Sequence, residues 1–167
     1  MAYDPAAWQN FYITTGGAAA ALTGLLFVAM SLHAKAIMAH PVLGSRAVGT
    51  LISLLTQLAI AGAVLTPGQS VLTLGIEVQI AAVFWAVFST TTVYRARANL
   101  KVSATRSLLR VILESLGGSI WLVLFLASGL SLILRAGGGF YLLALLMLFM
   151  FGWNVYVCWS LIAEVAD

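Results

Sequence analysis

Charge is what this chain has least of. Of its 167 residues only 8 are Lys or Arg and 5 are Asp or Glu, 8% in all, against about 25% in an ordinary soluble domain. So few charges cannot cover a water-facing surface of this size, which excludes a soluble globule. With 62% hydrophobic residues, a disordered chain is excluded too. A single cysteine, Cys158, excludes a disulfide framework, and three prolines exclude a collagen-like fibre. Runs such as LLALLMLFMF have no period of two, so the alternation of a transmembrane barrel is missing. What remains is an all-α polytopic membrane protein, whose spans satisfy their own backbone groups in lipid; the mean hydropathy of +1.06 agrees.

A hydrocarbon layer of about 30 Å needs about 20 apolar residues in a helix. Five stretches meet that length, at about 11–32, 47–66, 70–94, 108–134 and 140–162, which predicts a single domain of five transmembrane helices. The punctuation fits. Pro67-Gly68 suits a tight turn between the second and third spans, with Ser70 as a helix N-cap. Ala136-Gly137-Gly138-Gly139 is a flexible break between the fourth and fifth, and His40-Pro41-Val42-Leu43-Gly44 breaks the segment between the first two. Lys35, Arg46, Arg95, Arg97, Lys101, Arg106 and Arg110 fall on one side of the five-span layout, and only Arg135 on the other. That bias puts the basic side in the cytoplasm, the N-terminus outside and the C-terminus inside. The segment MAYDPAAWQN has no Lys or Arg and carries Asp4, the wrong flank for a cleaved signal, so span one reads as a retained helix. Tyr3, Trp8, Phe11 and Tyr12 read as an outer aromatic belt, with Trp153, Tyr156 and Trp159 as an inner one.

Within the spans, small and polar residues carry the functional readings. Gly16, Ala20 and Gly24 recur every four residues in span one, with Gly17 and Ala21 beside them. Such a stripe lets another backbone approach closely, either inside the subunit or at a subunit interface or pore. In span two Gly49, Ser53, Gln57 and Ala61 share a face. Gln57 and Gln79 lie equally far from the Pro-Gly turn, so an amide pair at that depth is expected. Glu77 stands seven residues after Ser70, about 10 Å into the membrane by helix rise. An ionisable group there is costly. It is either an ion or proton site or a protonated group making a structural hydrogen bond, and Arg135 is the nearest cation on that side. Gln79 points nearly opposite to Glu77, Asn154 is expected to hydrogen-bond between helices, and Glu114 to pair with Arg110 and Arg106.

The basic inner loop that holds Arg95, Arg97, Lys101, Arg106 and Arg110 sets topology and is placed against anionic lipid; nothing in it points to nucleic acid. His33 and His40 have no carboxylate or thiol at ligand spacing, so neither a metal nor a cofactor is expected. No nucleophile–base pair, phosphate loop or zinc signature is present, so the chain is read as a non-enzyme.

The segments GAAAALTGLLFVAMSLH, HPVLGSRA, TPGQS followed by LGIE, and NVYVCWSLIAE resemble a group of small bacterial, mainly actinobacterial, polytopic membrane proteins. Some of that group are labelled modulators of the FtsH protease. The resemblance implies a bacterial inner-membrane location and makes Gln69, Ser70, Glu77, Asn154 and Glu164 part of a family pattern. Five helices with glycine-rich faces and no inverted repeat are few for a self-contained transporter, so a homo-oligomer is expected. The leading functional expectation is an ion channel or pore with Glu77 as its acidic site. The alternative is a non-conducting scaffold or modulator of another membrane protein.

Overall fold

Asp4 starts the first element: its carboxylate accepts the Ala6 N–H at 3.1 Å, and Pro5 follows with its φ already suited to a helical turn. The result is a 3-10 turn over Pro5–Trp8 that runs into α1, Gln9–Leu32. The structure is a computed structural model that describes residues 2–39, 41–99 and 106–166. After α1 come the short α2, Ala34–Ala39, then α3, Pro41–Leu65, α4, Val71–Asn99, α5, Arg106–Leu134, and α6, Phe140–Ala166. Every regular element among the described residues is helical.

The four-residue turn Thr66–Gln69 forms as its sequence requires. The Gln69 N–H donates to the Thr66 carbonyl at 3.4 Å; Pro67 fills the second position and Gly68, at φ 74, the third, which only glycine adopts without strain. The α5–α6 connection is held by one side chain. Ser131 accepts the Gly139 N–H at 2.8 Å and donates to the Ala136 carbonyl. The Ala136 N–H closes back on the Ser131 carbonyl at 3.2 Å, the pattern of a left-handed helix end. Arg135 takes that left-handed position at φ 51. One expected boundary moves. Residues 41–44, expected to belong to a break, are helical, because Pro41 opens α3 instead of stopping it: a helix tolerates proline in its first turn, where no N–H is needed. Arg46 therefore lies inside a helix and not in a loop.

The helices group into two compact units, Met1–Ser70 with Met147–Asp167, and Val71–Leu146. In the first unit α1 and α3 pack antiparallel. Gly16 of α1 lies against Ala61 of α3, so close that an added Cβ would stand 2.8 Å from the Ala61 Cβ. Further along, Ala19 and Leu26 pack on Leu54, with Leu22, Met30, Leu51 and Cys158 around them. Val157 and Leu161 of α6 pack on Ala47. In the second unit α4 and α5 meet at glycines: a Cβ on Gly75 would lie 2.7 Å from the Ile133 Cγ1 and 3.1 Å from the Gly129 carbonyl oxygen.

Four helical segments, Pro5–Leu32, Leu43–Leu65, Val71–Phe88 and Phe140–Ala163, are long and apolar enough to cross a membrane, and α5 adds the shorter apolar stretch Ile120–Leu134. Their outward faces are hydrocarbon: Leu25 is 67% exposed, Phe27 63%, Ile80 64% and Trp159 73%. Water would not tolerate so continuous an apolar surface, and the protein is a membrane-embedded helix bundle. The hydroxyls within these helices are turned inward on their own backbones. Thr15, Thr23, Thr50 and Thr56 each donate to the carbonyl four residues earlier, at 2.7 to 3.0 Å.

Candidate functional site

Glu77 lies on α4, whose Leu74, Gly75, Val78 and Ala82 are buried. At a helical repeat of 3.6 residues, Glu77 falls on another face, beside Thr73, Ile76, Ile80 and Phe84, all exposed. Gln79 is turned the other way, onto α5, where its Nε2 donates to the Leu126 carbonyl at 3.0 Å. The glycine at 129 makes room for it: an added Cβ there would lie 3.0 Å from the Gln79 side chain. The hydrogen bond expected between the Gln57 and Gln79 amides is instead made by Gln79 to α5, and Gln57 makes no hydrogen bond. Equal depth along the two helices does not imply equal direction around them, and Gln79 is spent within its own unit. Arg135 is exposed at the left-handed end of α5.

The polar residues that do come together lie in the first unit. On α3, Arg46, Thr50, Ser53 and Gln57 follow one another at spacings of four, three and four, which is one helical face. Thr50 is 5% exposed, Ser53 7% and Gln57 fully buried. From α6, the fully buried Asn154 donates its Nδ2 to the Ser53 Oγ at 2.9 Å, the interhelical bond expected of it. One end of the row is set by the Arg46 guanidinium, whose Nη2 donates to the Ser160 Oγ at 2.9 Å. Gln57 is the exception in the row, since neither its Nε2 nor its Oε1 has a hydrogen-bond partner.

The small residues of span one divide. Gly16 is buried against Ala61, whereas Gly17, Ala20, Ala21 and Gly24 are exposed, and an added Cβ on Gly17 or Gly24 would meet nothing within 4 Å. Tyr12 leaves the expected aromatic belt: it is fully buried, and its ring meets Phe11 edge-on at 5.1 Å. Trp153, Tyr156 and Trp159 are exposed, as a lipid-facing belt needs. Arg95 and Arg97 lie on α4 and Arg106, Arg110 and Glu114 on α5; their side chains, together with Lys101 and His40, lie outside the described residues. Among the described residues no three His, Cys, Asp or Glu side chains come together.

Two contacts escaped sequence reasoning, the Ser53 partner of Asn154 and the Ser160 partner of Arg46. The first had a signal. Ser53 stands 13 residues before Thr66 and Asn154 stands 14 after Phe140, so the two are level when each helix is counted from the end of its apolar run. Compared with models of protein families, with curated proteins and with solved structures, the chain matches none.

Proposed function

We propose that the protein is an oligomeric ion-conducting pore of a bacterial inner membrane, with the Glu77 face of α4 turned toward a shared axis. The observation that carries this reading is the exposure of Glu77 on an apolar helix face. Six residues into α4, a carboxylate facing lipid costs up to about 3 kcal/mol even on the mildest insertion scales, and a carboxylate facing water along a shared axis escapes that cost. A ring of such groups is the usual means of admitting cations. In this reading the N-terminus lies outside and the C-terminus inside, and the basic ends of α4 and α5 rest on anionic lipid. No side chain acts as a catalyst in this reading, and conduction needs neither a cofactor nor a metal. Reconstitution into liposomes tests it. Wild-type protein carries a cation or proton flux that Glu77→Gln lowers at least about tenfold, the effect of removing a charged site worth about 1.4 kcal/mol or more. Silence toward Na⁺, K⁺, Ca²⁺, H⁺ and Cl⁻ by protein that is monomeric in lipid overturns it.

The open strip of Gly17, Ala20, Ala21 and Gly24 on α1 supports a second reading. There the chain docks through that strip to another membrane protein, such as a membrane protease, and modulates it without conducting. Photocrosslinkers at Gly17 and Gly24 in native membranes distinguish the two: a heterologous partner favours docking, and self-crosslinks favour the pore.

A further inference from the structure

Glu77 heads a column of side chains on α4. An α-helix returns almost to the same direction after seven residues, with about 20° of drift, and again after eleven. Phe84 and Phe88 therefore stand in line with Glu77, and Ala81 stands between. The face of α4 that packs on α5, through Gly75 and Gln79, is nearly opposite. Phe84 is 51% exposed, and its ring lies almost parallel to that of Phe88, with centroids 6.4 Å apart and 12° between the planes. The half-buried Trp85 meets Phe88 edge-on at 5.6 Å and 88°, so the pair is braced from the side. Along one line the order is acidic, small, large, large. Glu77 and Phe84 are seven residues apart, about 10 Å along the helix. Phe88 ends the stretch Val71–Phe88 that is long and apolar enough to cross a membrane, which puts the aromatic pair at the end remote from Glu77.

We infer that Phe84, braced by Phe88, is the hydrophobic gate of the pore, where one apolar side chain from each subunit closes the passage to water and so to ions. This rests on Glu77 facing a shared axis, since the column then faces that axis too. A cation leaving Glu77 passes Ala81, whose methyl group leaves room for its water shell. Phe84 is the first large side chain it meets. A narrow apolar constriction empties of water, and an ion stripped of hydration there, with no opposite charge beside it, is strongly disfavoured. Glu77 and Phe84 thus divide the work: the carboxylate chooses the sign of the ion, and the ring decides whether anything passes. A phenylalanine that merely met lipid would have no hold on flux.

Cation flux into liposomes carrying the full chain tests this by separating polarity from size at position 84. Phe84→Asn is expected to raise the flux at least about tenfold, the rate change for about 1.4 kcal/mol off the barrier, while Phe84→Leu, smaller than phenylalanine but still apolar, stays within about twofold of wild type. Adding Glu77→Gln to Phe84→Asn is expected to lower the raised flux again. Unchanged flux in Phe84→Asn, with Glu77→Gln still lowering that of the wild type, overturns the gate and leaves the pore standing. An equal rise in Phe84→Asn and Phe84→Leu makes the ring a plug by bulk and overturns gating by loss of water. A rise that Glu77→Gln does not reduce, or silence in every variant, overturns the gate together with the pore. If Phe84→Asn does not fold, Phe84→Ser takes its place under the same outcomes.

Discussion

Asn154 and Ser53 meet at 2.9 Å between α6 and α3, and the strength of that meeting is measurable. A double-mutant cycle with Asn154→Leu and Ser53→Ala is expected to return a coupling of about 0.6 kcal/mol, with a ceiling near about 1.7, the range for interhelical hydrogen bonds in membrane proteins. Reversible unfolding in mixed micelles reads it, and a coupling indistinguishable from zero contradicts the bond. Ser131 has more to lose. Its hydroxyl joins both sides of the α5–α6 connection, and Ser131→Ala leaves a buried N–H and a carbonyl without it, so a loss of about 1–3 kcal/mol is expected in the same assay. At this scale the sequence was legible where polarity alone decides. Asn154 had to find a partner across a helix boundary and did. It was illegible where direction decides: depth counting brought Gln57 and Gln79 together, but azimuth put Gln79 on α5. Tyr12 shows the same limit, since a tyrosine near a helix end suits a headgroup belt and a core equally well, and only its neighbours choose.

Glycine separates the helices that touch from those that do not. Gly75→Ala drives a methyl group into Ile133 and the Gly129 carbonyl, and overpacking of that kind costs about 1–3 kcal/mol. Gly62→Ala on α3 meets nothing within 4 Å and is expected to stabilise by about 0.5–1 kcal/mol through helix propensity alone. Thermal unfolding of the two single variants checks both signs, and equal shifts would mean that α4 and α5 do not approach as described. Helix existence was legible because hydrocarbon thickness fixes length: α1 ends at Leu32 and α6 begins at Phe140, where the apolar runs predict. The Pro67-Gly68 turn was legible because its backbone angles admit few other residues. The start of α3 was not, since Pro41 suits either a break or a first helical turn, and the packing of Leu43 beside the Ala47 cluster favours the turn.

For the whole molecule, composition revealed the solvent and not the assembly. A face that meets lipid and a face that meets another subunit are both apolar, so Leu, Ile and Phe on the outside of a helix do not tell them apart. The exposed glycines of α1 are where the two can be separated. Gly17→Leu and Gly24→Leu are expected to leave subunit stability within about 0.5 kcal/mol, as for other open surface sites, while lowering the oligomeric or heteromeric association measured by native mass spectrometry from lipid nanodiscs. Unchanged association in both variants removes α1 from any interface. Cysteine labelling of residues 2 and 166 from either side of sealed vesicles reads the orientation: with five crossings the two ends label from opposite sides, and labelling from one side excludes that layout.

The threonines that fold their hydroxyls back onto the preceding turn also bear on biosynthesis. A scale that scores residues one by one counts each of them against insertion, yet the surrounding oil meets only their methyl groups. Thr→Val at positions 15, 23 and 56 should thus alter the energy of entering the bilayer far less than side-chain polarity suggests, and these helices are greasier to the lipid than their letters spell.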